Sequence, residues 1–252
     1  MRTRLVLGLT AAALALAATP ASATTAAPPH PAPFGPQRPY EPDVAGPANL
    51  DEGEATVVRD AGGKHGVEIT FDTRRFTASG EKPAAPREFV FLFDDSVSFN
   101  VLAFPTCGRA VLADQGPAAC PPGSKVGAGR AEFYGGGAAE VAVYNTTFAG
   151  GLRGVLITIP ATGTILDNTL EPVWGPYRQN YTWGLHEIIQ PDGVPPQDRG
   201  VTSSFVVSFG ATWHGRSFVE SHERAGRPLD LGVWGHYVTG QVTLTEGRTA
   251  RP

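Results

Sequence analysis

Glycine and proline recur so often along this chain that few stretches are long enough to hold an ordinary helix. The 252 residues include 31 Gly and 23 Pro, well above the usual combined share of ~12%. A surface helix of ordinary length wants roughly 11 or more residues free of both. Beyond residue 48 only 67–79, 87–104 and 138–149 meet that length, and all three read as strands. Glu88-Phe89-Val90-Phe91-Leu92-Phe93 is β-rich, 98–104 follows after an Asp94-Asp95 turn, and 140–144 is short and β-branched. Further β-type runs at 154–159, 164–170, 185–189, 202–209 and 237–245 are fenced by Gly, Pro, Asn or Asp. Eight to ten short strands at this spacing predict an all-β, two-sheet antiparallel sandwich of jelly-roll type, with a β-barrel as the alternative.

The N-terminus reads as an export signal. Arg2 and Arg4 precede an apolar run over 5–18, and Pro20 breaks it before Ala21-Ser22-Ala23, an A-x-A cleavage site. The run is short of the ~20 residues a membrane span needs, so no membrane insertion is expected once residues 1–23 are cleaved after Ala23. Residues 24–47 carry eight prolines and almost no apolar periodicity, which predicts a disordered, polyproline-like spacer. A single β-domain is expected over 48–246, followed by a disordered terminus at 247–252. The net charge of −4 argues against a nucleic-acid binder.

One short helix is expected over 109–115, with Thr106 capping its start and Gly116 and Pro117 closing it. Cys107 and Cys120 bracket it and are the only cysteines. In an exported chain they are expected to pair, because their gap does not match the C-x-x-C redox motif and two thiols fall short of a zinc site.

The run Phe104-Pro105-Thr106-Cys107, followed by Gln115-Gly116-Pro117-Ala118-Ala119-Cys120-Pro121-Pro122-Gly123-Ser124-Lys125-Val126-Gly127-Ala128-Gly129, resembles a group of secreted actinobacterial proteins of unknown function. That group shows F-P-x-C, a short helix, then G-P-x-A-C-P-x-G-S-x-V-G-x-G entering a strand. Pro160-Ala161-Thr162-Gly163-Thr164-Ile165-Leu166 is similar to it as well. The likeness is close over 104–129 and looser over 88–210. It implies secretion and a β-sandwich, and it carries no catalytic residue. The group has a further cysteine pair that this chain lacks.

Catalytic signatures are missing. His186-Glu187 and His222-Glu223 each begin H-E-x-x-H and lack the second His that would hold zinc. Ser79-Gly80-Glu81-Lys82 fits S-x-x-K with a glycine where a helix is needed, and no G-x-S-x-G elbow is present. Gly127-Ala128-Gly129 leads into a strand, whereas a dinucleotide loop opens a helix. Glu132, Glu140, Asp167 and Glu187 fall on or beside strands without the spacing of a glycosidase pair. Asp94-Asp95 and Asp51-Glu52-Gly53-Glu54 offer carboxylates but match no calcium loop. No cofactor or metal is expected.

One segment stands out. Residues 173–183 hold Trp174, Tyr177, Tyr181 and Trp183. In an extended chain Tyr177, Tyr181 and Trp183 would share a face suited to stacking sugar rings, and the competing reading is that the rings fill the core. The expected function is a secreted, non-catalytic binding or envelope-associated module, with cell-wall or environmental glycan as the partner. The alternative is a secreted carbohydrate-active hydrolase or lyase.

Overall fold

The computed structural model describes residues 28–190 and 193–252. The leader and cleavage site expected at 1–23 lie outside them. Among the described residues the fold is all-β and antiparallel with one α-helix. In order come β1 (Leu50–Arg59), β2 (Gly66–Phe76), β3 (Pro86–Asp94), β4 (Val97–Phe99), α1 (Arg109–Gln115), β5 (Lys125–Phe133), β6 (Ala138–Thr147), β7 (Arg153–Ile159) and β8 (Thr164–Pro172). Then follow β9 (Tyr181–Ile188), β10 (Thr202–Phe209), β11 (Thr212–Trp213), β12 (Arg216–Ser217), β13 (Val219–Ser221), β14 (Pro228–Tyr237) and β15 (Val242–Ala250).

Thirteen strands form one sheet in the order β15-β14-β3-β9-β8-β7-β6-β5-β10-β2-β13-β4, with β1 alongside β2, and β11 and β12 make a separate ribbon. The two layers expected of a sandwich are therefore two arms of one sheet curled over its own core. Phe71 on β2 and Phe91 on β3 stand far apart in strand order, yet their rings meet at 5.3 Å, and Phe209 of β10 lies 5.5 Å from Phe91. Val143, Ile157 and Leu185 complete that core from β6, β7 and β9. A closed barrel does not result. Among the described residues no ladder joins β1 to β15, and the two ends of the sheet meet through side chains. Asn49 and Gln241 exchange hydrogen bonds of 2.7 and 2.8 Å, and Thr243 donates to Asp51 at 2.8 Å.

Gly127 and Gly129 let the sheet bend. A Cβ on Gly127 would stand 2.0 Å from the Ser208 carbonyl oxygen, and one on Gly129 would stand 1.9 Å from that of Val206. Only glycine lets β10 lie this close across β5.

The proline-rich segment departs from its expected role as a disordered spacer. Residues 28–47 run as a strap over the outer face of β3, β9 and β14. Ala32 is fully buried there beside Val90, Leu92 and Trp234. The Trp174 N–H donates to the Pro31 carbonyl at 2.7 Å, and that of Val44 donates to Val238 at 3.0 Å. Arg87 pins the strap, donating to Glu41, to Asp43 at 2.6 Å and to the Pro42 carbonyl at 2.7 Å. The reason is that β3 is apolar on both faces, so the face turned from the core needs a cover. The terminus expected to be disordered at 247–252 is likewise corrected. Gly247–Ala250 continue β15 against Pro228–Leu231, and the Arg251 N–H bonds the Arg227 carbonyl at 2.8 Å.

The expected helix forms as α1 and ends at Gly116, but its N-cap is Gly108 rather than Thr106. Leu112 packs its buried side toward Tyr144 and Leu156. The strand expected over 98–104 stops at Phe99, because Asn145 ties the following turn by donating to the carbonyls of Val101, Phe104 and Pro105. Cys107 and Cys120 are disulfide-bonded, with Cα atoms 5.2 Å apart. Closing so short a loop is worth about 2–3 kcal/mol. Replacing both cysteines by Ser should lower the unfolding free energy by that amount in urea titrations and leave ligand binding unchanged.

Candidate functional site

Curling leaves a space at one end of the core. A cavity of about 270 Å³ lies between the two arms, lined by Phe89, Phe91, Leu166, Ile189, Phe205 and Val233, with Glu187 among its polar residues. The lining follows from strand alternation: Phe89, Phe91 and Phe93 share the inner face of β3, β9 brings Glu187 beside them, and Ile189 follows directly after its end. An engineered cavity of ~150 Å³ takes up benzene, so by proportion this one accepts a body of roughly ten heavy atoms.

Glu187 decides the chemistry of the cavity. It is 3% exposed and accepts one side-chain hydrogen bond, from Asn168 Nδ2 at 3.0 Å. Burial pushes its carboxyl up to about 7, against the smaller opposing effects of Asn168 and His186. Near pH 7 about half of it is protonated and at lower pH most of it, and a carboxylic acid donates a hydrogen bond where a carboxylate cannot. Glu187 is the only carboxylate among the described lining residues. The paired acids of a glycosidase are not assembled here.

The other acids weighed in the sequence lie elsewhere. Glu132 and Glu140 are exposed, and Asp167 pairs with Arg109 at 2.7 Å. Asp94 is a turn former, accepting from Ser96 and from the Asp230 N–H. Asp51 is the second residue of β1 and binds Arg75 at 2.9 Å. Ser79 and Lys82 turn to different partners, Glu81 and the Gln197 carbonyl.

The aromatic segment does not make one extended face. Residues Gly175–Gln179 form a 3-10 turn, which takes Tyr177 out of the strand. A bulge against β3 then skips Thr182, so Tyr181 opposes Asp94 while Trp183 opposes Phe93. Tyr181 is buried beneath the strap with Val90, Leu92 and Trp234, and its hydroxyl donates to Glu246 at 2.8 Å. Tyr177 and Trp183 are half-buried. Trp174 alone is open, 50% exposed, and its partner is Phe34 of the strap, ring to ring at 5.5 Å. Sequence reading missed that partner because it assigned Phe34 to a spacer. It weighed Glu187 only as a strand acid, since nothing local marks which face of β9 looks into a void.

Compared with known protein families, curated proteins and solved structures, the chain matches none.

Proposed function

We propose that this protein is an exported, non-catalytic binding module that holds one small apolar molecule inside its curled sheet. The ligand class is a compact hydrocarbon body carrying one hydrogen-bond-accepting oxygen, such as a ketone or ester. The observation that carries this reading is the largely apolar cavity with the buried Glu187 carboxyl among its lining residues. Such a pocket, apolar with few convergent polar groups and a shifted titratable residue, is the usual form of a small-molecule site.

The test is calorimetric titration with 1-indanone, whose ten heavy atoms match the space. One molecule should bind, and more weakly above pH 7, where Glu187 ionises and ceases to donate. Ile189→Trp and Leu166→Trp each fill the cavity and should weaken binding at least tenfold, with thermal melts verifying that the variants fold. Absence of saturable binding, or binding indifferent to both variants, overturns the reading.

The exposed Phe34–Trp174 pair supports a second reading, a small glycan-stacking platform in keeping with the partner expected from the sequence. Retention on cell-wall glycan that is lost in Trp174→Ala, from a protein that ignores indanone, moves the site to that pair.

A further inference from the structure

On the opposite face of the same strands lies a second cluster that the cavity does not use. His30 comes from the strap, Glu88 from β3, His186 and Glu171 from β9 and β8, and His236 from β14. One nitrogen from each of His30 and His186 and one oxygen of Glu88 all lie within 4.8 Å of one another. The rings of His30 and His186 meet edge to face at 4.6 Å.

Two features set this cluster apart from an ordinary buried polar network. First, the Nε2 atoms of both His30 and His186 are buried and have no hydrogen-bond partner. The His186 side chain is only 1% exposed, so bulk solvent does not reach it, and an unpaired polar atom in such a place is costly. Second, His186 is oriented from behind. Its Nδ1 lies 3.1 Å from Glu171 Oε1, and Glu171 is itself held by the Thr169 hydroxyl at 2.6 Å and by the N–H groups of Phe34 and Gly35 at 2.9 and 2.6 Å. A carboxylate that accepts a hydrogen bond from the Nδ1–H leaves the Nε2 lone pair free to ligate. This carboxylate–histidine arrangement is the one that supports metal-ligating imidazoles.

We propose that His30, His186 and Glu88 form a binding site for a divalent first-row transition ion of the zinc class. Two imidazoles and a carboxylate are the donors such an ion takes, at bond lengths of ~2.0–2.2 Å. Glu88 is prepared for it: His236 Nδ1 sits 3.2 Å from Oε2 and Arg38 sits 3.7 Å from Oε1, which keeps the carboxylate charged and turned inward. The ion requires one rearrangement. The Ala32 N–H donates to His30 Nδ1 at 3.0 Å, which places the ring proton on Nε2. Ligation through Nε2 moves that proton to Nδ1 and gives up the contact. The ion would thus fasten the strap to two strands, β3 and β9.

The test uses the full chain without an affinity tag, titrated with Zn²⁺ and, for its visible spectrum, Co²⁺. One equivalent of each should bind, with Co²⁺ giving the absorption of a low-coordinate nitrogen–oxygen site. His30→Ala changes a residue on the strap, outside the core, and should lower affinity at least a hundredfold with the melting temperature in the absence of metal nearly unchanged. Glu171→Gln removes the orienting charge and should weaken binding about ten- to a hundredfold with the one-to-one stoichiometry kept. Binding of Zn²⁺ should also slow proteolysis within residues 28–38, and this readout does not depend on any variant. The proposal is overturned if neither ion binds below about 100 µM, a dissociation constant far weaker than a built site gives, or if His30→Ala and Glu88→Ala both bind as the parent chain does.

Discussion

Glu187→Gln should stabilise the protein by about 3 kcal/mol at pH 8 and by almost nothing at pH 4.5. The folded carboxyl titrates near 7 because it is buried, whereas in the unfolded chain it titrates at the ordinary value near 4.5. Below the lower value both states hold the proton and the group has no effect. Between the two values the unfolded state releases its proton while the folded state keeps it, so stability falls as pH rises. Above 7 both are ionised and the full penalty stands, about 1.4 kcal/mol for each unit between the two values. Glutamine keeps the shape and the Asn168 contact without the charge. The measurement is the difference in urea unfolding free energy between variant and parent at the two pH values. A difference that does not change with pH would show that Glu187 is not held in a dry site. A gain in stability from removing a native side chain is itself informative, because such costs are retained where a group serves binding.

Arg87→Ala should cost about 3 kcal/mol and detach the strap. The guanidinium is 1% exposed and donates to Glu41, Asp43 and the carbonyls of Pro42 and Tyr237. Breaking a buried ion pair by removing one partner costs ~3–5 kcal/mol. The lower end applies because Asp43 is 63% exposed and Glu41 keeps Arg199, so neither carboxylate is stranded. Arg87→Lys should restore little, since a single ammonium cannot span two carboxylates and two carbonyls as the fork does. Limited proteolysis supplies the second readout: cleavage within 36–47 should appear in the variant under conditions where the parent resists. If the loss of stability comes without new cleavage, the backbone bonds at Pro31 and Val44 suffice to hold the strap and Arg87 is a core residue only.

The antiparallel β-character was legible because glycine and proline cut the chain into strand-sized pieces. The run expected at 202–209 coincides with β10, and 154–159 and 164–170 fall within β7 and β8. Errors gather where tertiary contacts override local pattern. The run read as one strand over 237–245 is the end of β14, a turn at Gly240 and the start of β15, since Val238 and Thr239 look like strand residues in isolation. Strand β1 was hidden because Asp51-Glu52-Gly53-Glu54 reads as an acidic turn. Its pairing with β2 is what holds those residues extended. The largest omission, the strap, had a signal after all. Phe89 to Phe93 show no polar alternation, and a strand apolar on both faces needs something on each side. Which segment supplies the cover depends on Arg87 and Glu171, both distant in sequence from the residues they bind. The two candidate sites were out of reach for a related reason: His186 and Glu187 are neighbours in sequence but look out from opposite faces of β9.

The route of the sheet also governs when the chain is able to fold. Strand β3 finds one neighbour in β9 and the other in β14, so Val90 waits for Trp234, and β14 is next to last in the chain. Pairings of such long range are slow to form, since each must close a large loop before any contact repays it. The disulfide joins residues only 13 positions apart and shortens none of these searches. Until β14 arrives, the edge of β3 stands open with its phenylalanines exposed, a template for pairing with another chain. A nascent or truncated form ending before Pro228 is therefore the species most prone to aggregate.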